Sequence, residues 1–237
     1  KLKVEYMDIV SFTKEIYMSF YEYALKHSVN YKFEHMEEKL NLWFDPVQLQ
    51  KVIFNLLSNA FKYTKAKGSI TVSIRKIKNE VEIRVEDDGV GISKESIHKI
   101  FDRFYQVDGQ SSEFTLGTGI GLAVSKGIVE LHKGNIRVES EVGQGSVFIV
   151  TLLTGNEHFP KEVLSDSESN FHLIKDGVLE DLALEELMLE EPAKEQELTN
   201  EEKAGEMDIE SKDSDNKPSI LIVEDNLEIL EMLEDIF

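Results

Sequence analysis

Charge and hydropathic pattern both break at the same place, and that break limits where a core can form. Over residues 1–154 acidic and basic side chains balance at 20 each, and apolar residues recur with the periods of helices and strands. Residues 155–217 carry 20 acidic and six basic side chains. Residues 218–237 add six acids and no base, which brings the 237-residue chain to a net charge of −20. Aromatic residues nearly vanish after Phe171, and Pro, Glu, Ser, Lys and Asp take over. Such a composition buries too little apolar surface to offset the entropy of ordering it. The expected organisation is therefore one folded domain over 1–154, a disordered acidic linker over 155–217, and a short apolar return over 218–237. Within the linker only Val178–Leu189 reads as a transient helix.

Several classes are disfavoured at once. A neutral domain with an acidic tail lacks the clustered Lys and Arg that phosphate neutralisation needs, so nucleic acid is not the expected partner. The absence of cysteine excludes disulfides and thiolate metal sites, and it fits a reducing compartment. The longest apolar run, Val147–Leu153, is strand-sized, and no signal peptide opens the chain. The chain starts on Lys and stops mid-pattern, which reads as a piece cut from a longer protein.

The periodicities give a helix over Ile9–Leu25 capped by Asp8, and strands over Asn30–Glu34 and Leu40–Phe44. Asp45 and Pro46 open a second helix running to about Thr64, with Leu49, Val52, Ile53, Leu56, Leu57 and Ala60 on its buried stripe. A hairpin of Ser69–Arg75 and Val81–Val85 follows, then a glycine turn over Asp87–Gly91 and a helix over Lys94–Tyr105. A loop rich in Gly, Ser and Thr spans Gln106–Gly121, a helix spans Leu122–His132, and a last hairpin pairs Ile136–Ser140 with Val147–Leu153. This order predicts a two-layer α/β (α+β) sandwich, a mixed and mostly antiparallel sheet covered on one face by helices.

Four pieces of this pattern carry chemical possibilities. Asn55, Asn59 and Lys62 share one helix face at i, i+4 and i+7, opposite the apolar stripe. That face suits either solvent or a phosphate, with amide oxygens for Mg²⁺ and Lys62 for charge. Asp87 precedes Gly89 and Gly91, a plain turn or a backbone opened to a ligand whose amino group the carboxylate accepts. Gly117, Thr118, Gly119, Ile120 and Gly121 lead into a helix at Leu122, where unpaired N–H groups favour an anion. Gly143-Gln-Gly145-Ser146 reads alone as a hairpin turn. Neither a dinucleotide-binding G-x-G-x-x-G nor a Walker-type phosphate loop occurs.

In order, Asn55-Leu-Leu-Ser-Asn59-Ala-Phe-Lys62-Tyr63-Thr64, Asp87-x-Gly89-x-Gly91, Ile100-Phe101-Asp102-Arg103-Phe104-Tyr105 and Gly117-Thr-Gly119-Ile-Gly121-Leu122 closely resemble the N, G1, F and G2 boxes of bacterial sensor histidine kinases. The resemblance covers residues 1–154 and implies the Bergerat ATP-binding fold, shared with gyrase, heat-shock chaperone and mismatch-repair ATPases. By position it implies that Asp87 binds the adenine amine, with Gly89 and Gly91 shaping that pocket. Asn59, helped by Asn55, holds Mg²⁺, while Lys62 and Tyr63 line the phosphate and ribose side. Thr118 and the Gly117–Leu122 amides, Ile120 among them, form a lid anchored by Phe101. Arg103 is placed near the γ-phosphate, and Gln106 stands where the family often has a second Arg. The expected i, i+3 spacing of these two on one helix lets either serve.

Ile220-Leu-Ile-Val223-Glu224-Asp225-Asn226 resembles the first strand and acidic pair of a response-regulator receiver domain, so the parent resembles a hybrid sensor kinase. No histidine here sits in the family's phosphoacceptor pattern. The resemblance therefore implies transfer to a histidine on a dimerisation domain absent from this chain, in the cytoplasmic portion of a membrane-anchored sensor. His132 reads as a helix-end residue complementing the dipole. The alternatives are an ATP-hydrolysing relative and a nucleotide-sensing module without chemistry. Asn55 speaks against the first, because an amide is no general base.

Overall fold

The structure is a computed structural model that describes residues 2–106 and 119–165. Gly117, Thr118, the Val178–Leu189 segment and the Ile220–Asn226 motif lie outside the described residues. Among the described residues the strands and α-helices are, in order, β1 (Glu5–Asp8), α1 (Ile9–Ser19), α2 (Tyr21–Lys26), β2 (Asn30–His35), β3 (Asn41–Phe44), α3 (Pro46–Tyr63), β4 (Ser69–Ile77), β5 (Glu80–Asp87), α4 (Lys94–Ile97), α5 (Gly121–Leu131), β6 (Asn135–Glu141) and β7 (Gly145–Leu153), followed by a 3-10 turn over Lys161–Val163.

Alternation along the strands builds the core. Ile70, Val72 and Ile74 of β4, Val81, Ile83 and Val85 of β5, and Phe148, Val150 and Leu152 of β7 are all buried. The sheet runs β2-β4-β5-β7-β6, with β2 parallel to β4 and the remaining neighbours antiparallel. Helices α1, α3 and α5 supply the second layer of the same core, through Ile16, Leu56, Leu57 and Val129 among others. The expected two-layer architecture with a mostly antiparallel sheet is what the chain adopts.

Helix α3 lies at the centre because its sequence leaves it no other place. Its Asp45 N-cap accepts from the Gln48 amide at 3.0 Å, and Pro46 fixes the first turn. Every residue of the expected apolar stripe is buried, from Leu49 to Ala60.

The structure departs from the sequence reading in four places. The first helix breaks at Phe20, which turns its ring between Phe54 and Phe61 at 4.7 and 5.4 Å, so packing overrides helical continuity. A strand at Glu5–Asp8, unread in the sequence, pairs with β3 in a separate two-stranded sheet. The helix expected over Lys94–Tyr105 stops at Ile97 and gives way to turns, so Arg103 and Gln106 do not share a helix. Beyond Ile97 the amides of Lys99 and Asp102 donate three residues back, to Ser96 and Lys99, and Phe104 adopts φ 64 and donates its amide to Gly119 at 2.9 Å. Finally, order continues past Thr154 through eleven more residues. Phe159 is buried, and Val4 lies between Val163 and Ser165, bonded to them at 2.7 and 2.8 Å.

Candidate functional site

The polar face of α3 is the one stripe this helix does not bury. Gln48, Lys51, Asn55, Asn59 and Lys62 are half-buried, while nearly all the rest of the helix is in the core. Neither a fully solvated face nor a fully packed one fits this; the stripe is walled by other segments. Lys62 extends over the Tyr63 ring at 5.9 Å. No hydrogen bond joins the Asn59 amide to another described residue.

The turn after β5 closes one end of the stripe. Asp87 is 6% exposed and accepts from the Gly89 amide at 2.9 Å and from the Ser146 amide. Burial pushes its carboxyl up to about 6, against those two bonds and with help from Asp88 and Glu86. Gly89 touches the end of α3: a Cβ there would overlap the Tyr63 carbonyl, and the Val90 amide donates to that carbonyl at 3.3 Å. Gly91 (φ 70) presses on the Glu141 carbonyl, and Gly143 donates to Val90 at 2.8 Å. The last hairpin thereby becomes part of the site.

Ser140, to which the sequence reading gave no role, and Gly145 and Ser146, which it read as a hairpin turn, complete this wall. Ser140 Oγ accepts from the Ile92 amide at 2.8 Å, donates to the Gly145 carbonyl at 2.7 Å, and lies 3.0 Å from Ser146 Oγ. Gly145 has φ 94, and a Cβ there would overlap the Asp87 carbonyl. Gly143-x-Gly145-Ser146 held this signal, but only the fold shows that it lies against Asp87. Nothing in the sequence around Ser140 marks it.

At the other end of the stripe, Gly121 opens α5 directly on Asn55, whose Nδ2 donates to Ser125 Oγ at 3.0 Å. Ile120 and Leu122 flank this contact and are half-buried. Phe101 packs on the core beside Ile100, whereas Phe104 is 73% exposed. Gly119 (φ 65) meets the Phe104 backbone, so the two described edges of the 107–118 segment are tied together. Arg103 is exposed and forms no ion pair with a described residue; Gln106 is exposed as well.

His132 corrects its expected role. It is 1% exposed, Nε2 accepts from the Asp45 amide at 3.0 Å, and Nδ1 bonds the Ile128 carbonyl at 2.8 Å. Burial holds its pKa below the usual value, so a neutral ring pins α5 to the α3 cap rather than a cation complementing a dipole.

The stripe fits Mg²⁺ carried on phosphates. This ion keeps several waters and takes one or two protein oxygens, and the amides of Asn55 and Asn59 are such oxygens. No cluster of three His, Asp or Glu suited to hold a metal by itself occurs among the described residues.

A half-buried amide-and-lysine stripe, a buried aspartate at a glycine turn and a glycine-led helix thus meet on α3. Residues 44–156 match the family of histidine kinase-, DNA gyrase B- and HSP90-like ATPases, and this part of the chain is a domain of that class. Within the class its relatives are kinases. Histidine kinase P4 of Formosa agariphila is 42% identical over 163 residues, 67% of this chain but 12% of that protein. Sensor protein kinase WalK of Staphylococcus aureus is 39% identical over 127 residues, 53% of this chain and 29% of that protein. The chain thus spans less than a third of either relative. The nucleotide-free catalytic domain of the histidine kinase ThkA superposes with TM-score 0.58 at 27% identity, covering 65% of this chain and 99% of that domain. ThkA in complex with the response regulator TrrA superposes with TM-score 0.55 at 27% identity, covering 65% of this chain and 43% of ThkA. This region thus shares the fold of the ThkA catalytic domain and is similar in sequence to histidine kinases.

Proposed function

We propose that the domain binds ATP with Mg²⁺ and transfers the γ-phosphoryl group to a histidine on a separate dimerisation domain in two-component signalling. The observation that carries this reading is the convergence on α3: the Asp87 turn meets Tyr63, and α5 begins on Asn55. Asp87 accepts the adenine amine, Gly89 and Gly91 leave room for the ring, and Tyr63 and Lys62 face ribose and phosphate. Asn59 and Asn55 hold the metal, which supplies charge neutralisation on the phosphates. Gly117–Leu122 with Thr118 covers the triphosphate, and Arg103 or Gln106 meets the γ-phosphate. The acceptor imidazole nitrogen bonds phosphorus as the bond to the β–γ bridging oxygen breaks, leaving ADP. Positioning and electrostatics carry such chemistry.

Asn55 favours transfer over hydrolysis, because an amide does not activate water. The Ile220–Asn226 motif supports a hybrid parent with a receiver domain downstream, in the cytoplasmic part of a membrane-anchored sensor. The ThkA–TrrA complex makes a response regulator the kind of partner to expect.

Calorimetry with ADP and Mg²⁺ followed by labelling with γ-labelled ATP tests the reading. The chain alone binds nucleotide, does not label itself and does not hydrolyse ATP appreciably. Adding the parent's dimerisation domain labels that domain. Label on this chain alone, or no ADP binding, contradicts the proposal.

A further inference from the structure

Helix α5 holds one amide from two sides. The three atoms nearest to a Cβ built on Gly121 all belong to Asn55: it would overlap Oδ1 and lie 3.0 Å from Cγ and 3.3 Å from Nδ2. One turn later Ser125, 1% exposed, accepts from Asn55 Nδ2 at 3.0 Å. Gly121 and Ser125 are i and i+4, so they stack on the same helix face. The glycine makes room for the amide and the serine bonds it.

That bond decides which way the amide faces. An Asn side chain carries two donors on nitrogen and an acceptor on oxygen, and the two ends are nearly equal in shape. With nitrogen held by Ser125, oxygen is the end that lies beside Gly121 at the first turn of α5; turned over, the amide would present N–H groups there. We propose that Ser125 is a positioning residue for the metal, acting through Asn55 so that Oδ1 faces the phosphate-bound Mg²⁺. Metal affinity then depends on how α5 is seated against α3. This inference rests on the nucleotide reading of the site.

The test is ADP binding to the full 237-residue chain by calorimetry, with Mg²⁺ and with excess chelator, for wild type, Ser125→Ala, Ser125→Cys, Asn55→Ala and the Ser125→Ala/Asn55→Ala double variant. Ser125→Ala is expected to lower the Mg²⁺-dependent gain in ADP affinity at least about fivefold. Its metal-free affinity stays within about twofold of wild type. Ser125→Cys, which keeps the volume but accepts hydrogen bonds weakly, behaves like the alanine variant. The double variant loses no more than Asn55→Ala alone, as expected of two residues acting as one unit. An unchanged Mg²⁺ dependence in Ser125→Ala overturns the proposal. So does an equal loss with and without metal, or full recovery in Ser125→Cys, since either would mean packing alone. Full Mg²⁺ dependence in Asn55→Ala overturns it while leaving ADP binding intact. A wild-type chain that binds no ADP removes the nucleotide reading itself and this inference with it.

Discussion

The two ends of the α3 stripe are built differently although both are marked by glycine. At the Asp87 end, amides of Asp88, Gly89, Val90, Ile92 and Gly143 are bonded to partners on β4, α3, the β6–β7 hairpin and the turn itself. At the α5 end, the described ties are the Asn55–Ser125 bond and the Phe104–Gly119 amide bond, beside a phenylalanine that stands in solvent. A planar base is recognised best by groups that need no reordering, whereas a triphosphate cover must open to admit and release its ligand. On the nucleotide reading proposed above, preorganisation is concentrated where the base would be recognised and thinned where a cover would move. The far end of α5 repeats the first style, welded through His132 to the Asp45 amide.

The strongest way to break this contrast is to crowd the bonded end. Gly145 has φ 94 and its Cβ position overlaps the Asp87 carbonyl, while Gly143, at φ 80, has open space around it. Gly145→Ala is expected to cost about 3–4 kcal/mol in denaturant unfolding, combining backbone strain with forced separation of β7 from the turn. Gly143→Ala pays only the conformational term, about 1 kcal/mol. Equal costs at the two positions would show that the close approach to Asp87 is not what requires glycine.

Next in size is the carboxylate itself. Asp87→Asn keeps the shape but replaces a carboxylate acceptor with an N–H donor facing the adenine amine, and ADP affinity is expected to fall at least about 100-fold, about 2.7 kcal/mol. Stability should move the opposite way. Asp87 has a folded pKa of about 6 against an ordinary 3.8, so its stabilising share is complete below the ordinary value and is lost as pH rises toward 6. At pH 8 the Asn variant without ligand is therefore more stable than wild type, by up to about 3 kcal/mol. Wild-type ADP affinity falls as pH drops below about 6, where the carboxyl takes a proton. A pH-independent stability difference between the two proteins would remove the buried-carboxylate account.

Sequence patterns located the elements of both ends but not their quality. The apolar stripe of α3, its Asp45 cap and the alternation of β4, β5 and β7 are local signals, and each is where the periodicity placed it. The polar stripe was legible too, and it is half-buried rather than fully solvated. Ser125 and Ser140 were not legible, because a serine whose partner lies 70 or 48 residues away leaves no local mark. The Lys94–Tyr105 segment has helical composition throughout. Its second half forms turns instead, and a non-local bond from Phe104 to Gly119 holds their far end. His132 was misread for the same reason, since its bond to the Asp45 amide and its burial come from α3 and α5 packing together.

That correction at Phe104 changes what Arg103 must do. Released from a helix, Arg103 and Gln106 no longer sit on neighbouring faces, so they do not substitute for each other by position. Arg103→Ala is expected to lower phosphotransfer to an added dimerisation domain about tenfold, or about 1.4 kcal/mol of barrier, with ADP affinity nearly unchanged. ADP lacks the γ-phosphate and so separates the two effects. An unchanged rate, with a large loss in Gln106→Ala, reverses the assignment.

The smallest expected effect asks whether the α5 end is loose because its helix is weak or because its root has few ties. Gly127 sits in the middle of α5 with nothing within 4 Å of its missing Cβ. Gly127→Ala meets no neighbour, and an alanine in a helix interior is favoured over glycine by about 0.5–1 kcal/mol, largely because the unfolded chain loses freedom. The global stability of the chain should rise by that amount in urea unfolding. The more telling readout is amide exchange. If helix propensity limits α5, protection increases along the whole helix, including Val124 and Ser125 in the first turns. If the Asn55 contact and the Phe104–Gly119 bond limit it, protection grows around Ile128 and Val129, which are buried and already anchored through His132, while the first turn exchanges as before. The contrast between the two ends requires the second pattern, because it places the looseness at the root of α5 and not in its sequence.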